Sequence, residues 1–288
     1  DKVSVMPAAA SSTAVAIAAG SSVGMLLKQT PLNPLETRIL LTHALGLSRV
    51  QLITQAERVV TDEEAQRLSA LFQRRVNCEP IAYILGEREF FGLSFAVSPD
   101  VLIPRPETEL LVELALTRLP HHSRLLDMGT SSGAIPVAIA HARPDASVTA
   151  LDISDAALAI ARRNAQQHKV NIAFLRSDWY SALTDERFDI IVANPPYIVA
   201  GDTHLTEGDL RFEPIGALTD HADGLSALRA IISGAARHLS PHGWLMMEHG
   251  YDQAAAVRDL LAAYEFNEIQ SWKDLAGIER VSGGFRKS

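Results

Sequence analysis

The chain of 288 residues contains one cysteine, Cys78, so it can build neither an intramolecular disulfide nor a cysteine zinc site. Such scarcity fits a reducing, cytoplasmic setting, and Cys78 itself reads as a half-buried small hydrophobe. Long apolar runs are also missing. Hydrophobic residues make up 47 % of the sequence, yet Ser, Gly, Pro or a charge interrupts every stretch short of the ~18 residues a membrane span needs, so no membrane association is expected. Positive charge is scarce: 26 Lys and Arg against 34 Asp and Glu give a formal net charge of −8. A broad basic surface for gripping DNA or RNA backbone is therefore excluded, and a partner must be recognised locally. Among the 10 histidines, His121 and His122 adjoin a proline in a loop and the others lack paired ligand spacing, so no metal is expected. No histidine-linked nucleophile is expected.

What the chain does contain changes character along its length. Residues 1 to 5 precede Met6 and are expected to be an addition to the natural chain, while small residues over 13 to 28 predict a helix. A secretory leader is disfavoured, because the charged start is mixed and Ser and Thr break the apolar centre. Up to residue 85 the pattern is helical, with Leu35, Ile39, Leu40 and Ala44 on one stripe and a Thr-capped, acidic first turn in "TDEEAQRLSALFQRRV". The domains expected are a helical one at 1–85, a hairpin linker around Gly92 at 86–97, and a catalytic one at 98–288. In "LIPRPETELLVELAL", Pro106 suits a helix start.

From residue 124 the rhythm becomes strand, loop, helix, repeated, and the strands are short continuous apolar runs. That pattern predicts an α/β fold whose mostly parallel sheet is covered on both faces. The last two strands lack an intervening helix, which predicts an antiparallel edge. Ligands of such sheets sit beyond the carboxyl ends of the strands, near a topological switch point.

Four segments fall there. In "DMGTSSG", Asp127 ends a strand, and Gly129 and Gly133 permit tight turning and close approach of a ligand to Thr130, Ser131 and Ser132. The spacing is not G-x-G-x-x-G, which disfavours a dinucleotide. Asp152 closes "SVTALD", where a carboxylate can accept both hydroxyls of a ribose; helix capping is the competing reading. Asp178 and Trp179 of "SDWY" are candidates to flank an adenine, although a tryptophan is more often core. In "NPPY", Asn194 precedes a proline and is held extended, while Pro195 and Pro196 offer carbonyls but no N–H. The backbone there can only accept. The Asn194 side-chain oxygen and the Pro195 carbonyl can take the two N–H bonds of a planar –NH2 group, with Tyr197 against its plane. Arg105, Glu107 and Glu248 either border this site or serve as caps and helix partners.

These segments resemble the cofactor and substrate motifs of class I S-adenosylmethionine-dependent methyltransferases that modify planar nitrogens. "EPIAYILGEREFFGLSFAVSPDVLIPRPETELLVE", "LRFEPIGAL" and "MEHGYDQAAAVRDLL" extend the similarity, over roughly residues 25 to 286, to the protein-(glutamine-N5) methyltransferases acting on peptide-chain release factors, the HemK or PrmC family. The resemblance implies a class I (Rossmann-like) methyltransferase: a seven-stranded, mostly parallel sheet beside a small helical domain that recognises the partner. It implies methylation of the glutamine in the Gly-Gly-Gln loop of class I release factors, by a monomer that binds no nucleic acid directly. Carried onto this chain, S-adenosylmethionine contacts Asp127, Gly129, Thr130, Ser131, Ser132, Gly133, Asp152, Asp178, Trp179 and Asn194. Asn194, Pro195, Pro196 and Tyr197 hold the glutamine amide, with Asn194, Pro195 and Tyr197 carrying the reaction. One departure stands out: the family usually shows glycine where this chain has Ser131, so a positive φ there would cost about 1 kcal/mol. Rival readings are methylation of a ribosomal-protein glutamine, of adenine N6 in a nucleic acid, or a non-enzymatic cofactor-binding scaffold. The absence of a basic stripe argues against the nucleic acid, and the complete NPPY set against the scaffold.

Overall fold

A computed structural model describes residues 14–286, which divide after Leu85 into two compact units. The first is helical: α1 (Val23–Leu26), α2 (Pro34–Leu45), α3 (Arg49–Thr54), α4 (Asp62–Val76) and α5 (Ile81–Leu85). Its helices start where side chains satisfy backbone donors. Asn33, Ser48 and Thr61 accept from the N–H three residues on, and Gln51 and Glu64 return the bond to Ser48 and Thr61. Each such cap contributes roughly 1 kcal/mol. Leu40, Leu41, Leu68 and Phe72 form the centre of this unit's core.

Three sequence expectations change here. The buried stripe of α2 is Thr37, Leu40, Leu41 and Ala44, whereas Leu35, in the first turn behind Pro34, is 60 % exposed. The helix expected over 13 to 28 is confined to Val23–Leu26. Residues 14–18 are not helical, and α4 takes donors from them: Val15 N–H bonds Gln73 Oε1 at 2.7 Å and Ile17 N–H bonds Ser69 Oγ at 2.9 Å. Cys78 is exposed, in a left-handed conformation just past α4 (φ 67°), rather than half-buried. Residues 1 to 5 lie outside the described residues.

The second unit opens with a hairpin, β1 (Glu87–Phe90) and β2 (Leu93–Ala96), turned by Phe91 and Gly92, both at positive φ. Such a turn matches the twist of its strands. Next come a 3₁₀ turn at Pro106–Thr108, α6 (Glu109–Arg118), β3 (Arg124–Met128), α7 (Ala134–Ala142), β4 (Ser147–Asp152), α8 (Asp155–Gln167), β5 (Ile172–Arg176) and β6 (Phe188–Ala193). After β6 a long excursion carries α9 (Ile215–Leu218). The chain then forms α10 (Ser226–His238), β7 (Leu239–Glu248), α11 (Ala254–Ala263), β8 (Asn267–Lys273) and β9 (Glu279–Phe285).

The sheet order is β5-β4-β3-β6-β7-β9-β8. All neighbours are parallel except where β9 inserts between β7 and β8, antiparallel to both. The antiparallel strand is thus one in from the edge. Side chains alternate between faces with the period of two that strands impose. Leu125, Val148, Ile190 and Val192 pack in one core with residues of α6 and α7, while Leu126, Met128, Ile191 and Met247 pack in the other with residues of α10 and α11. Covering both faces explains the uniformly apolar strands. Strand order reverses between β3 and β6, so the chains leaving their carboxyl ends run to opposite faces of the sheet and open a crevice there.

Asn164 of α8 ties the hairpin to the loop after β3. Fully buried, its Nδ2 donates to the carbonyls of Ala96 (3.0 Å) and Ser132 (2.8 Å), and its Oδ1 accepts from Ala96 N–H (2.8 Å). Asn164→Ala orphans three backbone groups and is expected to destabilise the protein by at least about 2 kcal/mol. Urea denaturation checks this: a lower midpoint at unchanged slope is predicted, and an unchanged midpoint would mean that water replaces the side chain.

Candidate functional site

A cavity of about 560 Å³ opens at the carboxyl ends of β3, β4 and β6. Its wall includes Gly129, Thr130, Ser131, Ser132, Asp152, Asp178, Trp179, Asn194 and Pro196, with Leu102, Arg105 and Thr108 also contributing. The structure therefore brings together the four segments singled out in the sequence. Asp127, Gly133, Pro195 and Tyr197 are not among its lining residues; the first three are buried and Tyr197 is half-buried.

The loop after β3 is shaped by its backbone. Gly129 N–H and Thr130 N–H both bond the Leu151 carbonyl, at 2.9 and 2.8 Å, turning the chain across the end of β4. Gly129, Ser131 and Gly133 have φ of 73°, 52° and 78°. At Gly133 a Cβ would stand 3.0 Å from that of Ala161, so this glycine permits close packing of α7 on α8 and supports the loop from behind. Ser131 meets the same left-handed demand with a side chain, at a cost of about 1 kcal/mol. Its Oγ accepts from Leu102 N–H at 2.9 Å, which offsets the strain.

Asp152 Oδ2 accepts from Ser131 N–H at 2.8 Å and Oδ1 from Ser154 N–H at 2.9 Å. Burial raises its pKa, and these backbone donors oppose the rise. A carboxylate has about four acceptor positions, so capacity remains for ligand hydroxyls. Capping of α8 falls instead to Ser154, whose side chain accepts from Ala157 N–H. Asp127 is fully buried, and neither of its oxygens has a hydrogen-bond partner among the described residues. Burial pushes its pKa up to about 7; the Thr130 hydroxyl favours the ionised form and the charge of Asp152 opposes it. A buried acceptor pair without donors fits a cationic ligand group. Trp179 both lines the cavity and packs on the core shared by β3 and α10, so its two readings coexist.

Asn194 leaves β6 with its Nδ2 donating to Thr108 Oγ1 at 3.3 Å. Pro195 is buried, and burial raises the pKa of the Tyr197 hydroxyl, with Glu248 adding to the shift. The excursion beyond β6 returns on itself, Ile198 N–H bonding the Leu218 carbonyl at 3.0 Å. Gln253 Nε2 bonds the carbonyls of Tyr197 (3.2 Å) and Gly224 (3.1 Å), pinning its two ends. Within it, buried Glu213 pairs with Arg105 and accepts from Ile103 N–H at 3.0 Å. Arg105 thus borders the cavity, while Glu248 is buried at the end of β7. Thr108 and Gln253 carried no signal in the sequence, since a hydroxyl in a short turn and an amide before a helix are common. Chemically, the wall offers acceptors: a carboxylate toward hydroxyls, and a neutral amide oxygen beside a segment without N–H donors.

Fold and site together define a class I methyltransferase. The chain matches the methyltransferase small domain over residues 106–209 and the PrmC N-terminal domain over residues 23–86. A methyltransferase from Pyrococcus furiosus shares the fold, with a TM-score of 0.54 and 20 % identity over 75 % of this chain and 97 % of that one. The release factor glutamine methyltransferase of Burkholderia pseudomallei is 56 % identical over 268 residues, 90 % of this chain and 94 % of its own. That of Neisseria gonorrhoeae is 50 % identical over 255 residues, covering 88 % and 93 %. The chain belongs to the release factor glutamine methyltransferase family.

The Ser131 balance is testable. Ser131→Gly loses a hydrogen bond but sheds the strain, and is expected to leave the melting temperature nearly unchanged. Ser131→Ala keeps the strain and orphans Leu102 N–H, and is expected to destabilise by about 1 kcal/mol. Equal melting temperatures for wild type and Ser131→Ala would show that the hydroxyl contributes nothing, and equal ones for the two variants that the left-handed φ costs nothing.

Proposed function

We infer that the chain transfers the methyl group of S-adenosylmethionine to the side-chain amide nitrogen N5 of the glutamine in the Gly-Gly-Gln loop of class I peptide-chain release factors. The observation that carries this reading is Asn194 on the cavity wall at the switch point, followed by two residues that cannot donate. Family membership supports the substrate. In this reading Asp152 takes the ribose hydroxyls, Asp178 and Trp179 border the adenine, and residues 129–132 follow the amino-acid portion. Gly133 holds the loop from behind, and Asp127 faces the ammonium. Bound there, the cofactor supplies an electrophilic methyl group on a sulfonium.

A glutamine amide nitrogen is a poor nucleophile because its lone pair is delocalised into the carbonyl. The protein compensates by position. Asn194 Oδ1 and the Pro195 carbonyl accept its two N–H bonds, draw electron density onto nitrogen and aim it at the methyl, while Pro196 and Tyr197 bound the plane of the amide. Both acceptors bind more strongly as nitrogen gains positive charge in the transition state. Both are neutral, so neither forms a static ion pair with the sulfonium. The product nitrogen is acidic and loses its proton to water or a carbonyl, so no general base is assigned. The helical unit, which carries no chemistry, supplies a second docking surface that raises the local concentration of the loop. The enzyme acts as a monomer, in the cytoplasm.

Single-turnover transfer of labelled methyl tests the substrate. Label is expected on intact release factor and absent from its Gln→Ala variant; label on that variant would sink the assignment. Asn194→Ala is expected to slow transfer at least about tenfold with cofactor affinity retained, whereas Asp152→Ala should weaken cofactor binding by roughly 1 to 3 kcal/mol. The converse pattern would exchange the two roles.

Asp127 predicts a pH dependence. With a pKa of about 7, it is protonated at pH 5.5 and ionised above 7, and only the carboxylate attracts an ammonium. The cofactor's α-amino group keeps its proton up to about pH 7.7. Affinity should therefore rise several-fold between pH 5.5 and 7, with proton release on binding. Calorimetry on wild type and Asp127→Asn checks this, and an equally steep rise in the variant would remove Asp127 from that role.

A further inference from the structure

The segment from Asn194 to Tyr197 is rich in acceptors and poor in means of anchoring itself. Pro195 and Pro196 lack N–H groups, and the pairing of β6 with β7 ends at Ala193 and Met247. Such a segment is held by donors that other parts of the chain supply, and these must leave the Pro195 carbonyl open. Among the described residues, one side chain donates to a carbonyl of this segment: Gln253 Nε2, to that of Tyr197 at 3.2 Å.

Gln253 stands immediately ahead of α11, where a side chain commonly accepts from the first N–H groups of the helix. It makes no such cap. Its amide is committed to three backbone groups instead: Oε1 accepts from Gly250 N–H at 2.8 Å, and Nε2 donates to the carbonyls of Tyr197 and, at 3.1 Å, Gly224. Every partner is one-way, a donor at one end and acceptors at the other, so the amide has a single orientation. Gly224 closes the junction from the far side. Its N–H is held by Asp220 Oδ1 at 3.0 Å, its φ is 80°, and a Cβ there would stand 2.7 Å from the Tyr197 carbonyl oxygen and 2.9 Å from Gln253 Nε2. The chain between these points folds back on itself, Ile198 N–H bonding the Leu218 carbonyl and Ala200 N–H that of Ala222. Its returning half brings Pro214, Thr219 and Asp220 to the cavity wall.

We propose that Gln253 is a positioning residue for methyl transfer: its amide joins the end of the Asn194–Tyr197 segment to the returning chain at Gly224, and so fixes where the substrate acceptors stand relative to the cofactor cavity. The inference rests on the assignment of Asn194 and Pro195 to the substrate amide made above. Transfer requires nitrogen and methyl carbon to lie about 3 to 3.5 Å apart with their orbitals aligned, so a small shift of the acceptors slows the reaction. Gln253 is not among the cavity's lining residues and acts through Tyr197 and Gly224. The groups assigned to the cofactor, residues 129–132, Asp152, Asp178 and Trp179, belong to loops after other strands. The junction therefore governs the transfer step and leaves cofactor binding in place.

The test is the single-turnover rate of methyl transfer to intact release factor, with cofactor and factor both saturating, for the full-length protein and its variants. Gln253→Glu keeps an acceptor for Gly250 N–H but turns an oxygen toward the two carbonyls, and Gln253→Met keeps the length without donor or charge. Each should slow transfer about tenfold or more with cofactor affinity within about threefold of wild type. Gly224→Ala, whose methyl group meets the Tyr197 carbonyl, should do the same. Because Gln253 acts through the segment that carries Asn194, the losses should not multiply: the Asn194→Ala, Gln253→Met double variant should transfer within about threefold of Asn194→Ala alone, whereas a merely structural role would multiply them. A wild-type rate in Gln253→Met or Gly224→Ala, a joint loss of rate and cofactor affinity, or multiplied losses in the double variant would overturn the inference. Should Gln253→Glu fail to fold, Gln253→Met and the double variant decide. A wild-type rate in Asn194→Ala would instead overturn the assignment of Asn194 to the substrate.

Discussion

One carboxylate joins the two loops from which the cofactor cavity is built. Asp152 ends β4, and its two oxygens take backbone donors from opposite sides, Ser131 in the loop after β3 and Ser154 at the start of α8. With the Leu151 carbonyl holding Gly129 and Thr130, this makes the carboxyl ends of two neighbouring strands a single shaped surface. The left-handed residues of the loop, including a serine, are tolerated because these bonds over-determine their conformation. Everything placed around the cavity refers to this edge: the position of α7, the approach of residues 100–105 through Ser131, and the buried carboxylate of Asp127.

The opposite wall follows another logic. Charge is concentrated at Asp127 and Asp152, whereas the segment from Asn194 to Pro196, proposed above to face the substrate amide, is neutral. A carboxylate at Asn194 would accept as well, but it would place a full charge beside a cationic cofactor and stabilise the ground state along with the transition state. The charges near Asn194 are instead set back. Glu248 is buried at the end of β7, and Glu213 is neutralised by Arg105 while it holds the excursion after β6 against Ile103.

Much of this was legible in the order of residues. Short apolar strands alternating with helices announce a sheet covered on both faces, and an Asn before two prolines at a strand end has few purely structural explanations. What escaped the sequence depends on partners far away in the chain. The segment around Val15 and Ile17 is not helical, and Gln73 and Ser69 capture its donors, which no local helix propensity anticipates. The insertion of β9 between β7 and β8 follows from pairing choices between two strands of similar composition. Thr108 gains its meaning only from a strand end 86 residues later. Tertiary hydrogen bonds of this kind leave no periodic trace.

The proposed mechanism places the substrate nitrogen between two neutral acceptors on the NPPY segment. A crystal structure of the enzyme with S-adenosylhomocysteine and an intact release factor tests it directly. The account predicts the glutamine amide nitrogen within hydrogen-bonding distance, about 2.7 to 3.2 Å, of both Asn194 Oδ1 and the Pro195 carbonyl, with its free face toward the sulfur. A glutamine whose carbonyl oxygen, rather than nitrogen, faces Asn194, or whose nitrogen is held by a charged side chain, would contradict it.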